Sequence, residues 1–150
     1  MKLILRTVLI IGLAMSCAPP PKAAPPIAPA GINASFAKTW DVMIDILSEG
    51  HIQVKTLDKA SGYIVAEDRD VESSQQDSLA DCGGFMRVRW TALGPMIAEV
   101  NIVIRGDSTM STVTVRARFT KTGQSNWDCP SKNVFETYLQ AKVKARAEAR

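Results

Sequence analysis

Residues 98–120 read AEVNIVIRGDSTMSTVTVRARFT and contain the clearest structural pattern of the chain. In both halves small or apolar residues alternate with polar ones, which is typical of strands with one face on a core and one in water. The apolar positions are Ala98, Val100, Ile102, Ile104, Val113, Val115, Ala117 and Phe119. Gly106, Asp107 and Ser108 favour a turn between the halves. The sequence therefore predicts two antiparallel strands joined by a tight connection.

More strands are predicted on the N-terminal side of this pair. Residues 86–92 alternate in the same way, and Gly94-Pro95 separates them from the next strand, which predicts a three-stranded meander. Residues 51–57 and 63–67 also alternate, on either side of a turn at residues 58–62. This second pair predicts a hairpin, so that about five strands are expected.

A helix is predicted before and after these strands. The first has apolar residues at steps of three and four, the spacing of a single buried face: Phe36, Trp40, Met43, Ile44 and Leu47. Ser35 can cap its start, and Gly50 can end it in the left-handed conformation. The last helix opens at Ser131 as its cap, and beyond Gln140 its polar sequence predicts a frayed end. Its apolar stripe is Val134, Phe135, Tyr138, Leu139 and Val143.

These elements predict an α+β fold, an antiparallel sheet of about five strands with the N-terminal and C-terminal helices packed on one face. Residues 33–150 form the single predicted domain, long enough to bury a core. The pattern lapses at residues 67–84, where acidic and polar side chains predict a solvated loop. Asp68 and Asp70 alternate there, but the other ligands of a calcium loop are missing, so no metal site is expected.

The folded part contains two cysteines, Cys82 and Cys129. In an oxidising compartment such a pair is expected to form a disulfide. A reactive thiol is the alternative, but the chain has no CxxC motif, and its single histidine, His51, fits no catalytic order.

The polar face of the predicted meander is rich in arginine. Its members are Arg87, Arg89, Arg105, Arg116 and Arg118. Guanidinium groups bind carboxylates and phosphates through two parallel hydrogen bonds, so this face is a possible ligand site. A solvated face, or one paired with the chain's own acidic loop at residues 67–81, is the other interpretation.

The first residues have the layout of a secretory signal peptide. Lys2 and Arg6 precede an apolar run at residues 7–15, which is shorter than the roughly 17–25 residues that span a bilayer. Leu13-Ala14-Met15-Ser16-Cys17 resembles the lipobox of Gram-negative bacterial lipoproteins. The resemblance implies that residues 1–16 are removed and that Cys17 is acylated. An ordinary cleaved signal next to an uninvolved cysteine is the alternative.

Residues 17–32 are predicted to form a tether between the acylated cysteine and the domain. They contain six of the eight prolines, which favour an extended polyproline spacer that holds the domain off the lipid surface. Ala18 follows Cys17, where an Asp would imply retention at the inner membrane. The resemblance therefore implies an outer-membrane lipoprotein that faces the periplasm.

Charge and motifs limit the function. Loss of Lys2 and Arg6 lowers the net charge from +3 to +1, so a nucleic-acid partner is not expected. No catalytic set, phosphate-binding glycine loop or multi-histidine metal site can be assembled, and neither an enzyme nor a cofactor is expected. The segment from Ser35-Phe36 to Trp40, the turn at residues 58–62 and Cys129-Pro130-Ser131 resemble helix-grip envelope lipoproteins of the BamC type. Barrel assembly is not transferred, because only one such domain is present.

Two functions are therefore expected from the sequence. The first is a membrane-anchored interaction or scaffold component of the cell envelope, with a protein partner. The alternative is a binding module for an anionic envelope ligand, peptidoglycan or lipopolysaccharide, through the arginine-rich face.

Overall fold

A computed structural model describes residues 20–83, 94–123 and 126–149. The signal peptide, Cys17 and the predicted strand at residues 86–92 lie outside the described residues. The elements in chain order are β1 (Ala30–Ile32), α1 (Phe36–Glu49), β2 (Gln53–Asp58), β3 (Tyr63–Val71), α2 (Ser73–Leu79), β4 (Met96–Gly106), β5 (Ser111–Lys121), β6 (Trp127–Cys129) and α3 (Val134–Glu148).

The strands form one antiparallel sheet in the order β1-β5-β4-β3-β2, with β6 also paired to β5. The predicted α+β class is confirmed, with six described strands where about five were expected. The β4–β5 pair is the one predicted from residues 98–120, and its register places Ile102 opposite Val115. The hairpin β2–β3 is confirmed as well, with Leu57 opposite Ile64.

The predicted meander is wrong in one respect. It placed residues 86–92 beside β4, on the edge away from β5. In the structure that edge of β4 is paired with β3, from Tyr63 opposite Val103 to Val71 opposite Met96. A strand has only two hydrogen-bonding edges, so β4 has no place for a third neighbour along this length.

Both long helices pack on one face of the sheet, as predicted. The core between them contains fully buried side chains from every layer, among them Met43 and Leu47 of α1, Ile102 of β4 and Val143 of α3. A smaller second cluster around Phe119 and Met96 continues the same face under α2. Alternation along β4 and β5 thus divides the sheet into a buried face under the helices and a face on which none of the described helices packs.

Helix α1 begins as the sequence predicts. The Ser35 hydroxyl accepts a hydrogen bond from the Lys38 backbone N–H at 3.3 Å, which satisfies one free donor of the first turn. Its end differs, because Gly50 has a φ of −80°. The following residue, His51, takes the left-handed conformation instead, with a φ of 54°.

Helix α3 departs from its prediction in three ways. Asn133, not Ser131, is the N-terminal flanking residue, and its backbone N–H donates to the Ser131 hydroxyl. Tyr138 of the predicted stripe is 58% exposed. The helix also remains regular as far as Glu148, because its last turn buries Ala147 in the core. The polar face that suggested fraying is held by neighbours that lie far away in sequence.

The predicted loop at residues 67–84 is largely ordered structure. Strand β3 continues to Val71, and α2 follows. The Gln76 side chain is buried, donates to the Val71 carbonyl at 2.9 Å and accepts from the Lys121 ammonium. The loop prediction failed because this helix is fixed by a buried polar residue and has no apolar stripe.

The turn between β2 and β3 lies tightly against β4. Asp58 accepts the backbone N–H groups of Ala60 and Ser61, both at 3.1 Å. Gly62 has a φ of +64°, and a Cβ there would lie 2.1 Å from the Ile104 carbonyl oxygen. The position therefore requires glycine both for its backbone conformation and for the close approach of two strands.

Candidate interaction surfaces

The sheet face opposite the helices, called the outer face below, consists of the outward side chains of β3, β4 and β5. Strand register arranges them in rows across the sheet. One row is Tyr63, Val103 and Thr114; the next is Val65, Asn101 and Arg116; the third is Glu67, Glu99 and Arg118. The Tyr63 hydroxyl and the Asn101 side chain are joined by a hydrogen bond of 2.6 Å.

The structure brings together only part of the predicted arginine face. Arg116 and Arg118 project from the outer side of β5, two residues apart. Arg105 lies at the C-terminal end of β4, where it pairs with Thr112, whereas Arg118 pairs with Glu99 near the start of β4. Arg87 and Arg89 lie outside the described residues.

Arg118 is engaged within the protein. Its guanidinium donates to both carboxylate oxygens of Asp128 on β6, at 3.2 and 2.7 Å. This pairing holds the pKa of Asp128 below its ordinary value and raises the pKa of Arg118. Glu99 also lies directly opposite Arg118 in the register. A second anion would have to compete with these two carboxylates.

Arg105 is engaged too, since its guanidinium donates to the Ser61 carbonyl oxygen in the turn before β3. This bond attaches the β2–β3 turn to the end of β4. The arginine therefore has a structural partner at the margin of the outer face. Its distance along the sheet from Arg118 separates the charges that the sequence pattern had grouped.

Arg116 differs from these two. It is exposed, and among the described residues its guanidinium has neither a hydrogen-bond acceptor nor an ion-pair partner. Asn101 is its register partner across β4. Of the described predicted arginines, this is the one whose charge is available to a ligand.

The acidic residues that were expected to pair with the arginines have other partners. Glu67 accepts from Arg69 and lies 3.6 Å from the Lys55 ammonium. The Arg69 hydrogen bond, more than any other contact, lowers the pKa of Glu67. Asp81 accepts the backbone N–H groups of Lys22 and Gly83 at 3.0 and 2.9 Å, and these bonds lower its pKa.

Cys82 and Cys129 form a disulfide, as predicted, with their Cα atoms 4.4 Å apart. The bond joins the segment after α2 to β6. Backbone hydrogen bonds flank it, from the Asp81 N–H to the Pro130 carbonyl and from the Lys132 N–H to the Leu79 carbonyl, both at 2.9 Å. With both thiols in the bond, neither cysteine serves as a nucleophile in this state.

Residues 20–29, called the strap below, have no regular secondary structure but lie against the domain. The Lys22 N–H is bonded to Asp81, as described above. Farther along, the Asn133 amide donates to the Pro25 carbonyl at 2.5 Å, and the Gln140 amide donates to the Ala28 carbonyl at 3.3 Å. The strap continues into β1, which pairs with the start of β5. Contact with the domain is therefore present as early as Lys22 within the described residues, before the predicted boundary at residue 33.

The strap passes over a gap in the edge of β5. Strand β1 covers that edge up to Val113 and β6 covers it from Phe119 onward. Between them the buried Glu136 carboxylate accepts the Ala117 N–H at 3.1 Å and the Ser131 hydroxyl at 2.9 Å. A cavity of about 390 Å³ lies at this gap, between the strap and residues 115–117.

Sequence reasoning missed Glu136 and Gln140, which are buried on α3 and bond to β5. The signal was present but ambiguous. Both polar residues lie four positions apart, in line with the core residue Val143, so they interrupt the side of the helix that faces the sheet. A predicted stripe through Val134 and Tyr138 placed the buried face too far around the helix.

The described residues contain no group of three or more metal-binding side chains. None of the helices within those ranges is long and apolar enough to cross a membrane. The chain matches no protein-family model, and no curated protein matches it.

Proposed function

We propose that the protein is an envelope lipoprotein, anchored to the outer membrane through an acylated Cys17, whose domain acts as an interaction or scaffold component. The Cys82–Cys129 disulfide carries this proposal. Disulfides persist in oxidising compartments such as the bacterial periplasm and are rare in the cytosol. Structural pairing of these two cysteines supports export, in agreement with the signal-peptide layout.

The same pairing bears on Cys17. The chain has three cysteines, and two of them are joined to each other. Cys17 is therefore left without a cysteine partner in its own chain, directly after a lipobox-like sequence. An acyl acceptor at this position explains an odd cysteine in an exported protein.

A protein partner suits the outer face better than a polyanion does. Two of its arginines are engaged internally, and carboxylates of Glu67 and Glu99 lie among them. Half-buried apolar side chains, including Val65 and Val103, occupy the first two of the three rows. Apolar and charged groups mixed in this way are typical of non-obligate protein interfaces.

The test is a pull-down from detergent-solubilised envelopes with the full chain expressed from its own N-terminus. We expect the pull-down to recover one protein partner in a fixed stoichiometry with the chain. The substitution Val103→Asp on the outer face should abolish this recovery, because it places a desolvated charge in the interface. Tyr138→Asp on the exposed side of α3 is the matched control and should leave recovery unchanged.

Two results would count against the proposal. Equal recovery with Val103→Asp would move the interface away from the outer face. Absence of any stoichiometric partner, in preparations where Cys17 is acylated and the domain is folded, would remove the scaffold role itself.

Arg116 is the observation that favours the alternative, a binding module for an anionic envelope ligand. Its exposed guanidinium can form two parallel hydrogen bonds with a carboxylate or phosphate. Under this alternative Arg116→Gln should reduce retention on peptidoglycan or lipopolysaccharide. Lys142→Gln on α3 provides the control for a general charge effect, and equal retention of both variants would reject the alternative.

A further inference from the structure

We propose that the strap fixes the orientation of the domain on the membrane, with the disulfide end of the domain turned toward the lipid surface. The disulfide end is defined by Asp81, Cys82, Cys129 and Ser131. The inference rests on the proposed acylation of Cys17, and it replaces the predicted free spacer with a docked one.

The strap is held at several points along its length. Its contacts are with side chains that the fold itself fixes: Asp81 lies beside the disulfide, Asn133 begins α3, and Gln140 is buried between α3 and β5. At the far end β1 adds ladder hydrogen bonds to β5. A proline-rich segment loses little conformational entropy on docking, since the φ angles of its prolines are already restricted.

Docking of the strap leaves only a short linker, residues 17–22, between the domain and the lipid. Cys17 precedes Lys22 by five residues. Covalent geometry limits their Cα–Cα distance to about 18 Å, even for a fully extended chain. Since Lys22 is bonded to Asp81, the disulfide end cannot move far from an acyl chain attached to Cys17.

The direction of the strands determines which end lies away from the lipid. The strap and β1 run antiparallel to β5, from the disulfide end toward the β4–β5 turn at residues 107–110. Cys129 lies opposite Phe119, which pairs with Ala98, whereas Gly62 is bonded to Ile104 and the β4–β5 turn follows Gly106. The turn end, defined by Gly62 and Met110, therefore lies about 20–27 Å beyond Cys129 along the strands, at about 3.4 Å per residue.

One exposed side chain near the disulfide end fits contact with lipid. Trp127 is 40% exposed and stands two residues before Cys129 on β6. Tryptophan is favoured at the membrane–water interface, where its ring meets the headgroup region and its N–H stays hydrated. The aromatic group thus provides a second contact close to the anchored end.

The test is NMR on the mature full chain, anchored through Cys17 in lipid nanodiscs that contain a headgroup-attached gadolinium chelate. We expect the amide signals of Cys82 and Ser131 to be lost and those of Gly62 and Met110 to be retained. Equal broadening at both ends, or stronger broadening at Gly62 and Met110, would overturn the proposal.

A variant with a longer linker tests whether the short linker causes the orientation. Insertion of twelve Gly/Ser residues between Ala18 and Pro19 adds a flexible span of about 20 Å and leaves the strap sequence intact. Signals at Cys82 and Ser131 should recover in this variant, with unchanged chemical shifts in the strap. The same insertion between Gly123 and Gln124 is the matched control and should leave the broadening pattern as it is.

The outcome separates this inference from the proposed function. Failure of the naturally produced chain to float with lipid vesicles contradicts the anchor and therefore the proposed function. In that case Cys17 can be coupled to a maleimide lipid, so that the docking of the strap is measured independently. Flotation with equal broadening at the two ends contradicts only the orientation.

Discussion

Loss of the Cys82–Cys129 bond should lower the free energy of unfolding by about 4 kcal/mol. The bond closes a loop with a sequence separation of 47 residues, and the chain-entropy relation for a loop of that length gives this value. The native fold should survive, because backbone hydrogen bonds at Asp81 and Lys132 still join the two segments. The cost therefore arises mainly from the greater freedom of the unfolded chain.

The assay is urea unfolding of the chain with Cys82→Ala and Cys129→Ala, followed by circular dichroism. With a urea m-value of about 2 kcal/mol/M, the loss corresponds to a midpoint lower by about 2 M. Reduced wild-type protein is the matched control, since it keeps both side chains and lacks only the bond. It should unfold near the double variant. A decrease below about 1 kcal/mol in both samples would refute the reasoning, because the bond would then not constrain the unfolded chain.

Three further predictions concern single positions. Glu136→Ala leaves the Ala117 N–H without its acceptor and should lower the free energy of unfolding by about 1–3 kcal/mol. Glu136→Gln keeps an acceptor oxygen and should cost less. Equal losses for the two variants would contradict the role of Glu136 as a hydrogen-bond acceptor. Gly62→Ala should lower the melting temperature far more than Gly31→Ala, where a Cβ meets no atom within 4 Å; similar shifts would show that the turn can relax. The Met110 and Thr109 N–H groups lower the pKa of Asp107 from 3.8 to about 2. The stabilisation by this carboxylate is therefore present above about pH 4 and is lost as the pH falls through about 2. Acid unfolding of Asp107→Asn should show a weaker pH dependence over this window, and a profile identical to that of the wild type would contradict the assignment.

The strands could be predicted because their pattern is local. Alternation in residues 98–120 determines which side chains face the core, and the alternating burial along β4 and β5 confirms it. Neighbour order in the sheet is a different kind of information. Nothing in the alternation of residues 86–92 could show that β3 pairs with β4, because period two records the buried face and leaves the partner open.

Elements fixed by polar contacts could not be predicted from hydrophobic pattern. Helix α2 depends on the buried Gln76, and the end of α3 is held by Arg146, which forms two hydrogen bonds with Glu49 of α1. These partners lie far apart in sequence, so each residue alone looks like an ordinary surface side chain. The frayed end predicted beyond Gln140 was wrong because Ala147 is buried in the core and because Arg146 has this distant partner.

On the outer face, too, the local pattern was predicted and the distant contacts were not. The sequence placed Arg105, Arg116 and Arg118 on the polar side of their strands, and the structure agrees. It could not reveal that Asp128, brought beside Arg118 by the pairing of β6 with β5, would neutralise one of them. Charge clusters read from a sequence lack the neighbours that only the fold supplies.

The strap shows how composition alone can mislead. Six prolines in residues 19–29 favour an extended chain, and in the structure residues 20–29 have no regular secondary structure. Whether such a segment stands free or lies on the domain depends on acceptors and donors elsewhere, here Asp81, Asn133 and Gln140. Extended conformation and free spacing are therefore separate properties.

Both proposals depend on the acylation of Cys17, which intact-protein mass spectrometry can detect. The chain should be expressed with its own N-terminus in a Gram-negative host and extracted from the membrane fraction. We expect a mature protein that begins at Cys17, carries the mass of two or three acyl chains and contains one disulfide. A chain that begins at another residue, or at an unmodified Cys17, would contradict it.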